Sequence, residues 1–210
     1  MTRDQIERHI LWHCSRLSSS EHALLVESED GYRLQGVAVL PLGELPCHID
    51  YAVTVDRHWR PRRARATITT PSGAREIVLR SRHGAGWEVD GELASHLDGC
   101  PDVDFGWTPA TNTVPIRRLG LEVGETASIT AAWVRFPELD VVASEQRYRR
   151  LAIDRWQYTS GEHDYQLVID PATGLVLSYG EDLWRAAATG VASQHLSPSS
   201  GRTADARPGH

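Results

Sequence analysis

Asp102 and Asp104, separated by one valine, place two carboxylates on the same side of an extended chain. That spacing suits acid/base pairing or a calcium ion, and it suits ordinary hydrogen bonding to backbone or arginine equally well. No DxDxDG run with a following Glu completes a calcium loop, so a structural role is the first expectation and hydroxyl recognition the second. Arg117 and Arg118 follow closely. An arginine fork grips a carboxylate or phosphate through paired N–H bonds. One of the two either clamps an anionic ligand or ties down Asp102 or Asp104, and the internal pair is the expectation. Between the acids and the arginines stand Thr108, Thr111, Asn112 and Thr113, with prolines at 101, 109 and 115. These side chains are polar and the backbone is stiff, which suits a hydroxylated ligand. About 20 irregular residues inside a compact domain more often bind than merely connect.

Seven tryptophans against two phenylalanines are a second candidate set. Indoles stack on sugar faces and offer one N–H donor. Trp87 and Trp107, in turn-rich stretches, are the better ligand candidates. Trp12 and Trp133 read first as core anchors, with Trp133 kept among possible ligand contacts. Arg147 and Arg149 share one strand face and Arg150 takes the other; Arg147 completes the ligand-binding candidates. The ten histidines are scattered and no HExxH occurs, so no metal site is indicated. Neither GxSxG nor a base beside Cys100 offers a nucleophile, and no catalytic residue or cofactor is assigned. Cys14, Cys47 and Cys100 are odd in number and widely spaced, which argues for buried or idle thiols rather than a disulfide framework or zinc.

The block Gly99-Cys100, Asp102-Val103-Asp104, Thr108-Pro109, Thr111-Asn112-Thr113 and Pro115 to Leu119 resembles the signature of the putative glycolipid-binding family. Val55-Asp56, Trp59-Arg60, Ala132-Trp133-Val134, Gln146-Arg147-Tyr148 and Gly174-Leu175-Val176 extend the likeness from about Ile10 to Trp184. Ala110 stands where the pattern leads one to expect a bulky aromatic. The resemblance implies a strongly curved, open antiparallel sheet: a half-barrel similar to bacterial lipoprotein carriers, with short helices or loops at its mouth. It also implies a lipid or glycolipid-like small molecule as ligand.

The elements that must position these groups are mainly strands. Turn residues recur at short intervals up to about Ala192, the punctuation of an antiparallel fold. Strands are expected over Tyr32–Leu40, Cys47–Asp56, Arg62–Thr70, Ala74–Arg82, Thr126–Phe136, Val141–Ile153, Tyr165–Asp170 and Leu175–Tyr179. Hairpins are expected at Pro71–Gly73 and Pro171–Gly174. Alternation places Ile49, Tyr51, Val53 and Val55 on one face, and Ala64, Ala66 and Ile68 on another. The run from Thr126 to Phe136 is apolar on both faces, so it is covered twice or lines a dry cavity. Short helices are expected at Thr113–Leu119, capped by Thr113, and at Glu181–Ala188. Residues 1–192 form one domain, and the Ser/Pro/Gly/Arg-rich 193–210 cannot bury enough surface to order.

At 210 residues, with 40% hydrophobic and 24% charged residues, the chain is an ordinary single globular domain. A net charge of -6 argues against nucleic-acid binding. All 22 basic residues are arginine, which removes lysine Schiff-base and Walker-type chemistry. No signal-peptide core precedes the first strands and no run is long enough for membrane insertion, so a cytoplasmic protein is expected. The leading expectation is a non-enzymatic binding module: an apolar concavity for an acyl chain, with the Asp102–Arg118 segment addressing a polar or sugar head. The alternatives are an enzyme using Asp102 or Asp104 as general base, and an interaction scaffold whose curved face holds a peptide or a second copy of the chain, a homodimer.

Overall fold

The computed structural model describes residues 5–82, 86–181 and 183–194. Residues 84 and 85 of the turn expected at Gly84–Gly86, and the tail beyond 194, lie outside the described residues.

Strands fill most of the chain: β1 Gln5–Cys14, β2 Ser19–Ser28, β3 Gly31–Leu42, β4 Leu45–Asp56, β5 Pro61–Thr70, β6 Gly73–Ser81, β7 Trp87–Val89, β8 Glu92–Ala94 and β9 Asp102–Phe105. After one helix, α1 (Thr113–Leu119), come β10 Thr126–Val134, β11 Val141–Arg150, β12 Arg155–Ser160, β13 His163–Ile169, β14 Val176–Tyr179 and β15 Trp184–Gln194. They form a single 15-stranded sheet in the order 8-7-6-5-4-3-2-1-15-14-13-12-11-10-9. Every pairing is antiparallel except β9 with β10. No helix among the described residues is long and apolar enough to cross a membrane.

Connectivity forces the sheet to curl. β8 and β9 are its opposite edges, yet only residues 95–101 join them. Strands spaced about 4.8 Å apart would make a flat sheet of this size roughly 65 Å wide, whereas those seven residues reach at most about 25 Å. The result is an open, strongly curved half-barrel whose β9–β11 end turns back over β5 and β6. Arg75 of β6 accordingly donates to the carbonyls of Pro137 and Glu138 in the β10–β11 turn.

The strand faces follow the alternation. Ile49, Tyr51, Val53 and Val55 are buried, as are Ala64, Ala66 and Ile68. β10 is indeed covered on both sides: Ala132 and Val134 join the larger buried cluster, while Ile129 joins a smaller one with Tyr148, Trp156 and Leu167. Both expected hairpins are present, and all three cysteines are buried free thiols.

Four features differ from expectation. The segment after Leu97 is not an irregular loop: it orders into β9, a 3-10 turn at Ala110–Asn112 and α1. Most of it is buried, with Asp102 paired to Arg118, Asp104 to Thr111 and Thr108 to Glu21, while the Thr113 hydroxyl and the Trp107 indole N–H are buried without a partner. Thr113 is not the helix cap, because the 3-10 turn runs straight in and leaves Asn112 at that position. The predicted helix Glu181–Ala188 is absent. β15 begins at Trp184 and inserts between β1 and β14, where the backbone ladder and burial of Trp184 outweigh alanine's helix preference; it continues through 193 and 194. Finally, the concavity facing β3–β7 is not an empty apolar hollow. Val103, Phe105 and Trp107 fill it together with Val134 and Trp87.

Candidate functional site

Register brings the polar block to the strand face that carries the smaller cluster. Parallel pairing sets Asp102 beside Ala131 and Asp104 beside Trp133. On β11, Gln146 lies opposite Ile129 and Tyr148 opposite Ala127, on that same face. Successive pairings then align Tyr148 with Tyr158 and Tyr158 with Tyr165. Tyr179 of β14 closes the set, 5.9 Å from Tyr158 and 4.9 Å from Tyr165 between ring centroids. Sheet register thus assembles an aromatic wall from four separate strands.

Against that wall opens a cavity of about 460 Å³. Asp104, Thr108, Asn112 and Trp133 line it, with Ser144, Ser160, His163, Tyr158, Tyr165, Tyr179 and Trp184. Asp104 is held from both sides: Thr111 Oγ1 donates to Oδ1 at 2.7 Å and Gln146 Nε2 to Oδ2 at 2.7 Å. The Tyr148 hydroxyl donates to Asn112 Oδ1 at 2.9 Å, and Asn112 Nδ2 donates to the Pro109 carbonyl. Burial pushes the Asp104 carboxyl up, and the Thr111, Gln146 and Phe105 donors pull it back only in part. Burial also raises the Tyr148, Tyr158 and Tyr179 phenols, so these rings remain neutral donors.

A second carboxyl lies behind Thr108. Glu21 faces inward from β2 and is 1% exposed. The Thr108 hydroxyl donates to its Oε1 at 2.6 Å, and the Tyr51 hydroxyl donates to the same oxygen. Tyr51 reaches it across Gly36, where a Cβ would sit 2.6 Å from the phenolic oxygen. Glu21 Oε2 is buried without a partner. Burial outweighs the two donors and lifts this carboxyl to about 7.

The remaining predicted site residues lie elsewhere. Asp102 is 1% exposed and locked by Arg118, whose Nε donates to Oδ1 at 2.9 Å while Nη2 pairs with Oδ2. This is the internal pair expected of one of the two arginines. Arg117 lies over the Trp59 ring at 5.3 Å and passes under Gly174, away from the cavity. Trp87 is buried and donates to the Cys100 carbonyl at 2.9 Å. Trp107 is buried and stacked on Phe105 at 4.7 Å. Both tryptophans are core anchors, because the turn-rich stretches that carry them fold inward rather than out. Arg147 is on the opposite sheet face, exposed. Ala110, fully buried, leaves no side chain to reach the cavity. Sequence reasoning missed the tyrosines, Gln146 and Glu21. Tyr148 opposes the arginines in the alternation of β11, but nothing in the chain aligns it with Tyr158 and Tyr165.

Among the described residues, no three His, Cys, Asp or Glu side chains converge as a metal ion needs. The pocket presents flat rings, hydroxyls, the constrained Asp104 carboxylate and the exposed Glu162, an arrangement suited to grasping a polyhydroxylated ring.

The sequence matches the pattern of the putative glycolipid-binding family over residues 9–185. A solved structure of a DUF1089 family protein from Pseudomonas aeruginosa is similar in both sequence and fold. Identity is 32% and the TM-score 0.70, over 79% of this chain and 90% of that one. No curated protein gives a match.

Proposed function

This chain belongs to the putative glycolipid-binding family, and on that premise we propose that it is a non-enzymatic binding module for the saccharide head of a glycolipid-like ligand. The observation that carries the reading is the tyrosine and tryptophan wall facing Asp104 across a cavity of about 460 Å³. That volume lies within the roughly 300–1,000 Å³ of small-molecule sites. Aromatic faces accept the C–H face of a sugar ring, while the Asp104 carboxylate, held by Thr111 and Gln146, keeps an unused lone pair for a sugar hydroxyl. Thr108 has committed its proton to Glu21, so toward the cavity its oxygen only accepts. Because the larger concavity is filled by Phe105 and Trp107, the lipid body stays outside and the head is what the protein reads.

Titration with octyl β-glucoside and octyl β-maltoside below their micellar concentrations, followed by tryptophan fluorescence, tests this. Saturable changes are expected in the wild type, with loss in Trp133→Ala and weakening of about tenfold or more in Asp104→Asn. If neither glycoside gives a saturable response, and native mass spectrometry of protein from its own host finds no bound glycolipid, the reading fails.

One observation favours a second reading, in which Asp104 acts as a general base: burial raises its carboxyl. The protein donors on its oxygens weigh against it, and Asp102 is withdrawn by its arginine fork. Turnover of a glycoside with a bell-shaped pH profile lost in Asp104→Asn would favour this alternative.

A further inference from the structure

Asp104, Trp133 and the wall tyrosines share one sheet face. Asp104 lies beside Trp133, and the pairings carry that face from Ser144 through Ser160 and Tyr158 to Tyr165. Tyr179, in register with Leu167, continues it and pairs with Trp184. The cavity these residues line is lopsided in charge. It holds the half-buried Asp104 and, from the turn between β12 and β13, the exposed Glu162. Among the described residues no arginine lines it, and its basic group is His163, whose ring stacks on Tyr165.

Asp102 shows the contrast, since Arg118 cancels its charge. Asp104 is held by Thr111, Gln146 and the Phe105 N–H, all neutral, so its charge is fixed in place without being cancelled. That charge reaches the wall, where it opposes ionisation of the Tyr158 and Tyr179 phenols. A carboxylate taken out of water without a cation is costly, and a cationic ligand relieves the cost. The rings suit the same ligand. Tyr179 is tilted by 53° against Tyr158 and by 43° against Tyr165, so the three bound a corner rather than a flat stack. Trp133 and Trp184 line the same cavity. The negative face of an aromatic ring attracts an ammonium group, indole most strongly.

We propose that the saccharide read by this cavity carries a free ammonium group, as an amino sugar does. Asp104 accepts its N–H donors, the tyrosine and tryptophan rings face its charge, and Glu162 adds attraction at the exposed edge. The inference rests on the saccharide reading and narrows it to cationic sugars.

Matched probes test it, titrated against the full chain at neutral pH: octyl β-glucoside, octyl β-glucosaminide, its N-acetyl form, and choline. The amine is expected to bind about tenfold tighter than the neutral glucoside, the size of a charge-assisted hydrogen bond. That ratio should shrink as salt rises. N-acetylation, which removes the charge, should abolish the gain, and choline, cationic but without a sugar, should bind more weakly than the amine. Asp104→Asn should bring the amine-to-glucoside ratio close to one. Glu162→Gln, at an exposed turn position, should lower it about twofold, so the test stands even where Asp104→Asn fails to fold. A ratio near one in the wild type overturns the ammonium inference and leaves the saccharide reading standing. An N-acetyl form that binds as tightly as the amine, or a ratio unchanged in both variants, overturns it too. Choline binding as tightly as the amine assigns the cation to a lipid headgroup and overturns the amino sugar. Binding by none of the probes removes both readings.

Discussion

Replacing Glu21 by Gln removes the ionisation of a fully buried carboxyl while keeping its shape. In the folded chain that group titrates near 7 rather than at its ordinary 4.5, because burial penalises the charge more than Tyr51 and Thr108 repay it. The folded state therefore holds the proton more tightly than the unfolded state. The neutral form's stability is fully present below about 4.5 and is lost as pH rises through about 7. At about 1.4 kcal/mol per pH unit the loss is on the order of 3 kcal/mol. For a chain of this length that is roughly 6–12 °C in Tm. Gln keeps an oxygen for Tyr51 and Thr108 but puts an amide where Oε2 has no partner, costing about 1–3 kcal/mol at every pH. Urea unfolding of both proteins at pH 4.5, 6, 7 and 8 cancels the other titrating groups. The difference between the two proteins should move by about 3 kcal/mol in favour of Glu21→Gln from the lowest to the highest pH. Parallel stability profiles would refute the claim that Glu21 is forced to ionise inside the protein.

Other outcomes follow from the same packing. Arg118→Met strands the buried Asp102 carboxylate and should cost about 3–5 kcal/mol in denaturant unfolding, with much of this recovered by adding Asp102→Asn. Gly36→Ala drives a methyl into the Tyr51 hydroxyl and should lower stability by about 1–3 kcal/mol by thermal melt. Tyr165→Ala, at a half-buried ring of the pocket wall, should abolish the fluorescence response to octyl β-glucoside with a much smaller loss of stability. A melting temperature that collapses in this variant would show the ring to be a core residue.

The chain's alternation was enough to orient β4, β5 and β10, because a half-buried strand needs apolar groups at every second position. The two-sided β10 shows the limit of that signal: it announced double cover, but whether by protein or by ligand depended on Phe105 and Trp107 arriving from about 20 or more residues earlier in the chain. The aspartate–arginine pairing was legible as chemistry, since a buried carboxylate needs a cation. Which arginine supplies it was not: Arg117 and Arg118 are neighbours in sequence and differ only in the direction α1 points them. The run EDLWRAAA reads as helix by propensity, and only the open edge of β1 makes it a strand.

Composition and pattern alone determined a mainly antiparallel domain, its strand faces, the family likeness and the polar block that feeds the site. These depend on local geometry and on residues adjacent in the chain. Tertiary structure decided that the hollow is filled, that Trp87 and Trp107 are core, that Glu21 is buried beneath Tyr51, and that tyrosines at 148, 158, 165 and 179 form one wall. Those outcomes depend on register between strands. A shift of one residue in any pairing would turn a ring from the cavity to solvent, and no single strand's sequence carries that information.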